Sequence, residues 1–508
     1  MASEKQIAKN TLFLYIRMFI VVLITLFTVR VVIKALGVLD YGVFTAVGGV
    51  VLIMSFLSQT VTFAAQRYFS YELGKNDFTR LKDVFSSVLI IYVIIALFVS
   101  IVAEFIGMWF LENKMIIPEN RLDVARWVLH FSLLSFVVTI FYAPFNAMII
   151  AHENMSVYAF VSVFEVLLKL IIVFILPWCN YDRLFLYAGL LLLVYVIVAL
   201  VYIGYCLKYY AETHFRLKWD TSLISELIGF SSWTMFGTLS GAANYQGTGI
   251  LLNMFFGPVA NASLSVAHQV SQALQLFSSN IFTAVRPPMT KSYAVGDYAY
   301  VMNLFYKSSK YSYYLLLIIL LPLFFEMPFV LQLWLGSVSE YMVDFSRLLL
   351  VYVVIVSLSN PISIIVQAAG KVKIYHGFVD GFTLLSLVIS YFAFLIGGSA
   401  NIVFYVMIFV FFVAHLFRLV ILHNIIKFLY IDYLMKFVLP GLFVSIIVSL
   451  PVCALHFLMD DSWVRFLLIL LATFIFLVLS IYCIGINKEE KEYIKNRIYV
   501  LINDKVRL

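Results

Sequence analysis

The sequence predicts an all-α polytopic membrane protein, and three observations carry this prediction. Hydrophobic residues make up 64% of the 508 residues, and charged residues make up only 12%, against about 25% in ordinary soluble domains. The mean hydropathy is +1.02. The apolar residues fall in long runs separated by short polar loops. A chain with so few polar side chains cannot cover a water-facing exterior, so most of its exterior must face lipid.

Fourteen apolar segments are long enough to cross a bilayer, since about 20 apolar residues span the hydrocarbon core as a helix. The chain enters the first segment after the polar stretch MASEKQIAKN, and this segment is too long for the apolar core of a signal peptide. An even number of spans places both termini on the same side of the membrane. The predicted spans are residues 11–36, 41–66, 84–110, 125–150, 155–178, 184–210, 225–255, 262–285, 309–335, 344–368, 374–397, 401–426, 434–457 and 463–486.

The distribution of lysine and arginine orients these helices. When each basic residue is counted with the side to which it is assigned, even where it falls within a predicted span, 24 of the 34 belong to the side that holds the two termini and eight to the opposite side. The remaining two, Arg17 and Lys169, are counted as lying inside spans. Basic loops are retained on the cytoplasmic side of a membrane. We therefore expect both termini to be cytoplasmic.

The segments between the spans exclude several classes of function. The longest loop, near residues 286–308, is too short to form a catalytic domain. No Gly-rich nucleotide-binding motif occurs, and the four cysteines have neither disulfide nor metal-site spacing. The net charge of +7 lies in patches between apolar runs, which is typical of membrane topology and not of nucleic-acid binding. The sequence predicts a protein that is not an enzyme and has no cofactor, metal site or nucleic-acid partner.

The two halves of the chain carry the same residues at several equivalent positions. Three sets of residues recur at offsets of 217, 219 and 220 in topologically equivalent places. Parallel duplication of a six-helix unit would produce this pattern, with an N-terminal lobe over 1–222, a C-terminal lobe over 223–430, two further helices over 431–486 and a cytoplasmic basic tail over 487–508. The recurring residues are Pro144, Ala151 and Tyr158 with Pro361, Ala368 and Tyr375; Phe63, Ala65 and Arg67 with Phe282, Ala284 and Arg286; and Gly37 with Gly257.

Four segments carry a family resemblance. They are VRVVIKALGVLDYGVF, AAQRYFSYELGKND, PFNAMIIAHENMSVYAF and QAAGKVKIY. These segments resemble the polysaccharide-repeat flippases, the O-antigen and capsule translocases of the multidrug/oligosaccharidyl-lipid/polysaccharide exporter superfamily. The resemblance covers nearly the whole chain, and its most specific part surrounds Ala151, His152 and Glu153.

The resemblance implies two six-helix lobes that alternately open inward and outward in a bacterial cytoplasmic (inner) membrane. The implied cargo is an undecaprenyl-diphosphate-linked oligosaccharide, which moves from the inner to the outer leaflet. The implied partners are this lipid-linked glycan, membrane lipids and polysaccharide assembly proteins. The coupling ion, H⁺ or Na⁺, and the sugar are left open.

Arg17 is the first candidate substrate contact, because it lies about two turns inside the first span with no acidic residue within four positions. A basic residue at this depth costs about 2.5–3.5 kcal/mol unless it is paired, snorkels or binds a ligand. Arg17 either snorkels to the headgroups or binds a diphosphate, whose geometry suits a guanidinium fork. Arg30, about 20 Å along the same helix, either snorkels or forms an outer phosphate contact.

Two further arginines end equivalent helices on the cytoplasmic side. Arg67 and Arg286 are explained either by positive-inside anchoring or by a symmetric entrance for anionic headgroups. Inside the fifth span, Glu165 precedes Lys169 by four residues, the favourable order for an ion pair on one helix face. This pair is either a structural lock or a cation- or proton-coupling site.

The seventh span is unusually polar for a membrane helix. Asn244, Gln246 and Asn253 lie among several glycines, which indicates either a small-residue packing face or a cavity wall whose amides bind sugar hydroxyls. His268 in the eighth span is either a satisfied core histidine or a further substrate contact. A multidrug cation antiporter of the same superfamily is the alternative function, but it would need an accessible intramembrane carboxylate. Glu165 and Asp380 are the only plausible ones.

Overall fold

The protein is built from helices joined by short connections. The computed structural model describes residues 4–37, 40–44, 47, 55–113, 117–178, 181–216, 220–336, 338–486 and 490–492. These ranges contain helices and no strand, which confirms the predicted all-α class. The helices are α1 (Glu4–Leu36), α2 (Ser55–Lys75), α3 (Phe78–Asn113), α4 (Leu122–Ala151), α5 (Met155–Ile175), α6 (Arg183–Tyr209), α7 (Thr221–Ala294), α8 (Tyr298–Phe325), α9 (Met327–Leu335), α10 (Glu340–Ala368), α11 (Val372–Leu395), α12 (Ile402–Ile426), α13 (Tyr430–Leu458) and α14 (Trp463–Gly485).

Eleven segments of the described chain are long and apolar enough to cross a membrane, and each overlaps a predicted span. The ninth span was predicted about ten residues too late, over 309–335, whereas the segment is Tyr298–Phe325. Three predicted spans are not among these eleven. The span predicted over 41–66 lies largely outside the described residues. The spans predicted over 225–255 and 262–285 are helical but belong to α7, whose many polar residues lower its hydropathy. The total of fourteen spans stays a prediction.

The helix α7 consists of two helices joined at one residue. Gly257 has a φ of +79° and a ψ of −171°, a conformation that residues with a Cβ rarely adopt. Helical geometry therefore breaks at Gly257, and α7 has a first half over 221–256 and a second half over 258–294. This is where the sequence predicts the connection between the seventh and eighth spans.

Residues with a positive φ recur at the same spacing along the chain as the repeated sequence positions. Each of three positions with positive φ in the first part of the chain has a counterpart 217 or 220 residues later. The helices that end beside one such pair, α4 and α10, also each contain an internal proline, Pro144 and Pro361. Recurrence of both backbone geometry and sequence favours the predicted duplication. The three pairs are Gly37 with Gly257, Asn76 with Gly296, and Glu153 with Gly370.

The chain forms two compact units. Unit 1 comprises Met1–Leu239, Thr283–Asp297 and Gln367–Gly377, and unit 2 comprises the remaining segments, Ser240–Phe282, Tyr298–Val366 and Phe378–Leu508. In unit 1 the ring of Phe85 on α3 contacts Phe69 on α2 and Phe145 on α4, with centroid distances of 5.7 and 5.2 Å. In unit 2 the rings of Phe345 on α10 and Phe404 on α12 lie 4.6 Å apart. The predicted lobe boundaries after residues 222, 430 and 486 stay predictions.

Candidate functional site

Arg17 lies on α1 without an ionic partner among the described residues. Its side chain is half-buried, and its guanidinium carbon lies 4.5 Å from the ring centroid of Tyr158 on α5. The buried Nε atom has no hydrogen-bond partner in the described part of the chain. The contact with Tyr158 is a cation–π interaction, which holds the guanidinium in place and leaves its N–H donors available.

Arg286, on the second half of α7, has a similar environment. Its guanidinium carbon lies 4.3 Å from the ring centroid of Phe63 on α2. Two of its buried nitrogen atoms, Nε and Nη1, have no hydrogen-bond partner among the described residues. Arg286 therefore resembles Arg17 in having an aromatic contact and unused donors.

The elements that carry these two arginines meet in unit 1. Leu14 on α1 and Ala284 on α7 belong to one buried apolar cluster, completed by Ile150 and Met155. Leu14 precedes Arg17 by three residues, and Ala284 precedes Arg286 by two. The cluster therefore places the bases of the two arginine side chains in one neighbourhood.

The α4–α5 connection anchors the same two helices nearer the helix ends. Asn10 Nδ2 on α1 donates a 3.0 Å hydrogen bond to the carbonyl oxygen of Glu153, and Lys291 Nζ on α7 donates a 2.7 Å bond to the carboxylate of Glu153. Arg17 lies about 10 Å along α1 from Asn10, and Arg286 about 7.5 Å along α7 from Lys291. Along their helices, Arg17 thus lies about two turns and Arg286 about one and a half turns from the residue that contacts Glu153. We call Arg17, Arg286 and their aromatic contacts the cationic site.

Arg67 has a different role from the one predicted by its repeat position. The side chain is 8% exposed, and its Nε and Nη2 atoms donate 3.0 Å hydrogen bonds to the carbonyl oxygens of Gln367 and Ala368. These are the last carbonyls of α10, where a cation is favoured by the helix dipole. The rings of Tyr68, Tyr71 and Phe230 surround the guanidinium at 4.4–5.4 Å. Arg67 therefore caps a helix, and its symmetry with Arg286 is limited to the sequence.

Arg30 is the predicted outer phosphate contact. Arg30 belongs to α1, but its side chain lies outside the described residues. Its role as an outer contact stays a prediction.

In unit 2, Asn244 joins the first half of α7 to α11. Its Nδ2 donates to the carbonyl of Ser240 at 3.1 Å and to Thr383 Oγ1 at 3.3 Å, while its Oδ1 accepts from Ser386 Oγ at 2.7 Å. Asn244 is 3% exposed. The amide is fully used by helix–helix hydrogen bonds, so its geometry fits the packing interpretation better than the substrate-binding one.

Gln246 and Asn253 lie on another face of the same half-helix. Both side chains are exposed, and a separation of seven residues places them on one stripe of the helix. Their amide groups are oriented away from the packing that occupies Asn244. This face fits the predicted cavity wall.

The second half of α7 carries a glutamine stripe that sequence reasoning missed. Gln269, Gln272 and Gln275 are all exposed, and their spacing of three residues places them near one face. Uncompensated amides are costly in lipid, so such a face is suited to water or a polar ligand. The signal was present in the sequence as three glutamines at helical spacing within an otherwise apolar segment.

His268 lies beside the glutamine stripe and connects the two halves of α7. Its ring centroid is 3.9 Å from that of Tyr245. The Nε2 atom is buried and has no hydrogen-bond partner among the described residues. His268 is therefore not a satisfied core histidine, and it remains a candidate ligand contact.

Glu165 and Lys169 on α5 form the predicted ion pair. Lys169 Nζ lies 2.6 Å from Glu165 Oε1 and donates a second bond of 3.2 Å to Tyr195 Oη on α6. Both side chains are about one-quarter exposed. The two side chains neutralise each other, and Lys169 also binds Tyr195 on the neighbouring helix α6. This is the arrangement expected of a structural ion pair.

A second ion pair between helices, in unit 2, was missed, because the charge count placed Arg418 with the cytoplasmic basic residues although it lies within the predicted span 401–426. Arg418 is instead 6% exposed within α12, and its Nη2 lies 3.0 Å from Asp380 Oδ1. Its Nη1 donates to Ser359 Oγ at 3.2 Å, and that hydroxyl also contacts His415 Nδ1 at 3.2 Å. No local sequence spacing connects Asp380 with Arg418, which explains why the pair was missed.

Comparison with known proteins establishes the family. A family model described as polysaccharide biosynthesis protein matches residues 7–293, more than half of the chain. The chain belongs to this polysaccharide biosynthesis protein family. The match covers α1, where Arg17 lies, and nearly all of α7, where Arg286 lies. No curated protein matches the chain.

Solved structures establish the fold of this family member. It is similar to a multidrug resistance MATE family transporter of the MOP superfamily in an outward-facing conformation, with 14% identity, a TM-score of 0.71 and coverage of 83% of this chain and 96% of that chain. A MATE in the bent conformation has 14% identity, a TM-score of 0.73 and coverage of 84% and 95%. A MOP superfamily transporter from Pyrococcus furiosus Vc1 (DSM3638), for which reverse polarity of the binding pocket suggests a different function, has 14% identity, a TM-score of 0.68 and coverage of 82% and 96%. At these identities the likeness establishes the fold alone.

The predicted family is therefore confirmed, and the fold of this chain is similar to that of MATE family and other MOP superfamily transporters. In this polysaccharide biosynthesis protein, the candidate coupling carboxylates of Glu165 and Asp380 both have basic partners. Glu326, which is fully buried at the end of α8, is paired with Arg465 at 2.6 Å. The guanidinium groups of the cationic site have no ion pair within the described part of the chain. The available intramembrane charge at this site is thus positive.

Proposed function

We propose that this protein is a flippase that moves an undecaprenyl-diphosphate-linked oligosaccharide from the inner to the outer leaflet of a bacterial cytoplasmic membrane by alternating access. Both termini are cytoplasmic in this proposal. The protein acts as a transporter without catalytic residues, and polysaccharide assembly proteins supply or receive the lipid-linked glycan.

The proposal rests chiefly on the cationic site. Arg17 and Arg286 keep unused guanidinium donors. Arg17 lies about two turns inside the first predicted span, where an unpaired basic residue costs about 2.5–3.5 kcal/mol, and Arg286 directly follows the eighth predicted span. A diphosphate can offset this cost, because its oxygens accept charge-assisted hydrogen bonds from a guanidinium fork. The aromatic contacts with Tyr158 and Phe63 orient both groups before a ligand arrives.

The exposed amides of α7 support a glycan as the other part of the cargo. Gln246 and Asn253 on the first half and the glutamine stripe on the second half offer both donors and acceptors. A sugar hydroxyl both donates and accepts hydrogen bonds, so it can pair with both parts of an amide.

Voltage is a sufficient drive for such cargo. Moving one negative charge outward across a membrane whose interior side is negative releases about 2.3 kcal/mol per 100 mV. Countertransport of H⁺ or Na⁺ is the other candidate, with Glu165 and Lys169 as the coupling pair. Their mutual neutralisation at 2.6 Å favours the voltage drive.

The multidrug cation antiporter is the second candidate function, because the solved structures of similar fold include a multidrug resistance MATE transporter. An organic cation requires an accessible carboxylate. Glu165 and Asp380 are each held by a basic side chain, so the charge pattern favours anionic cargo.

Translocation in proteoliposomes tests the proposal. The wild-type protein is expected to move a fluorescent lipid-diphosphate oligosaccharide between leaflets and to leave a lipophilic organic cation in place. Arg17→Ala should abolish glycan movement, and Arg17→Lys should retain part of it because charge remains without the fork. Lys9→Ala is the matched control, since Lys9 is an exposed cation on the same helix. Unchanged translocation by correctly inserted Arg17→Ala protein, or cation transport by the wild type, would reject the proposal.

A further inference from the structure

A second basic site lies in unit 2, away from the residues assigned above. A cavity of about 300 Å³ lies between the first turns of α8 and the start of α13. Its charged lining consists of Lys307 and Lys310 from α8, Lys436 from α13 and Glu490 from the C-terminal segment, and Tyr306 adds an aromatic wall. Three ammonium groups and one carboxylate line the cavity. Asp432, which pairs with Lys436, brings the net charge of this neighbourhood to +1.

The deepest of the three lysines is held by the C-terminal segment. Lys310 is 5% exposed, and its Nζ donates a 2.6 Å bond to Glu490 Oε2. Tyr311 Oη donates a 2.9 Å bond to Glu490 Oε1. The Glu490 carboxylate therefore occupies the position that an anionic ligand of Lys310 would take. An acidic side chain from a terminal segment is a replaceable occupant, since a ligand with more negative charge can displace it.

The third lysine is the most accessible. The Lys436 side chain is 52% exposed and lies 2.8 Å from Asp432, while its ammonium group is 5.4 Å from the ring centroid of Tyr306. Lys436 belongs to the π-helical turn Leu434–Val438, and such turns frequently occur at functional sites. The turn displays Lys436 at the rim of the cavity, where a headgroup would enter.

The cavity lies at the depth of lipid headgroups. The 28 residues of α8 extend about 42 Å, whereas the hydrocarbon core of a bilayer is about 30 Å thick. The first turns of α8, which line the cavity, precede its continuous apolar stretch and therefore lie outside the hydrocarbon. On the predicted orientation this end faces the cytoplasmic leaflet, where basic pockets between helices bind anionic headgroups.

We propose that this cavity binds the phosphate headgroup of an anionic phospholipid and that Glu490 is its built-in competitor. The headgroup phosphate pairs with Lys307 and Lys436 and displaces the Glu490 carboxylate from Lys310. The sequence after α14 is compatible with this assignment, because six basic residues outnumber four acidic ones, and a net positive charge is attracted to an anionic surface. The acidic residues are Glu489, Glu490, Glu492 and Asp504. The basic residues are Lys488, Lys491, Lys495, Arg497, Lys505 and Arg507.

Binding of short-chain lipids to the purified full-length protein in neutral detergent tests this inference. The probes are dioctanoyl phosphatidylglycerol, dioctanoyl phosphatidylcholine and inorganic phosphate, and the readout is the Kd from thermophoresis. The variants are the double Lys307→Gln/Lys436→Gln, the single Glu490→Gln, and a control double, Lys208→Gln/Lys373→Gln. Lys208 and Lys373 are exposed lysines of unit 1. Thermal midpoints of all variants verify folding.

Phosphatidylglycerol is expected to bind at least about tenfold more tightly than phosphatidylcholine. Removal of each lysine should weaken binding about fivefold, or about 1 kcal/mol, so the cavity double should lose roughly 25-fold while the control double stays within about twofold. Glu490→Gln should tighten binding about fivefold because the competitor loses its charge. Equal binding of the two lipids, equal losses in both double variants, weaker binding by Glu490→Gln, or inorganic phosphate binding as tightly as phosphatidylglycerol would each overturn the proposal.

Discussion

Arg67 and Arg286 occupy equivalent positions in the two repeats but differ in what they contact. Both follow a phenylalanine and an alanine near the end of their helices. Arg67 donates two hydrogen bonds to the end of α10, whereas Arg286 keeps two buried nitrogen atoms without partners among the described residues. Duplication thus conserved the residue while its role diverged, with one copy stabilising the fold and the other available for a ligand.

The residue that follows α10 differs from the equivalent residue that follows α4, and this gives a steric explanation for the different contacts of Arg67 and Arg286. At the end of α10, Gly370 has a φ of +72°, and a Cβ built there would lie only 3.3 Å from Arg67 Nη2. The equivalent position after α4 is Glu153, which has a φ of +63° and a side chain that pairs with Lys291. A residue with a Cβ at position 370 would crowd the guanidinium of Arg67, whereas the Glu153 side chain pairs with Lys291.

The largest expected effect comes from removing the unpartnered guanidinium. Arg286→Gln should lower translocation of the lipid-linked glycan about 100-fold, which corresponds to about 2.7 kcal/mol, because a ligand loses charge-assisted hydrogen bonds. The thermal midpoint should change little, since no described residue depends on Arg286 for a hydrogen bond. Arg80→Gln is the control, as the Arg80 side chain is 58% exposed. Equal loss of activity and thermal stability in Arg286→Gln would remove the distinction between the two arginines.

The converse result is expected for Arg67. Arg67→Gln should lower the free energy of unfolding by about 2 kcal/mol, because the carbonyls of Gln367 and Ala368 lose charge-assisted hydrogen bonds. The translocation rate of each folded molecule should stay within about twofold of the wild type. Thermal unfolding in detergent and translocation normalised to folded protein measure the two effects. A selective loss of transport with an unchanged midpoint would assign Arg67 to the substrate path after all.

Substitution of Gly370 tests the steric explanation. Gly370→Ala should lower the free energy of unfolding by about 1–2 kcal/mol, since a residue with a Cβ is strained at positive φ and the new methyl group crowds Arg67. In the Arg67→Gln background the crowding component should disappear, leaving only the backbone cost. Additive losses in the double variant would indicate that Gly370 and Arg67 act independently.

The smallest effect concerns the connection that carries Glu153. Its neighbour His152 donates a 2.6 Å hydrogen bond from Nε2 to the carboxylate of Glu212. Burial opposes ionisation of Glu212, but this hydrogen bond prevails and holds the pKa of its carboxyl below the ordinary value. Glu212→Gln should cost about 1 kcal/mol at neutral pH. Because a depressed pKa contributes stability that is lost as pH falls through the folded-state value, the difference from wild type should shrink below about pH 4. A constant difference from pH 7 to pH 3.5 would contradict this assignment.

The sequence predicted those features that depend on local chemistry. Long apolar runs determined the membrane helices, and the i,i+4 spacing of Glu165 and Lys169 determined their ion pair. The break at Gly257 was also predictable, because the glycine separates two polar helical segments. Arg17 was identified by the absence of a nearby acid, which is likewise a local property.

Features that depend on distant contacts were not predictable. Arg67 contacts carbonyls about 300 residues away along the chain, and a backbone carbonyl leaves no signature in a sequence. Arg418 and Asp380 belong to different helices without regular spacing. The glutamine stripe was visible in the sequence, but only the exposure of its side chains distinguishes it from a polar packing face.

The junction at Gly257 limits how the topology of this protein can be mapped. A single residue joins the two halves of α7, so an inserted epitope or protease site would have no flexible backbone to extend. A tag placed there would report on a broken helix pair instead of on sidedness. The connection between α13 and α14, where Asp460 is exposed, is the better position for a glycosylation or cysteine-labelling reporter.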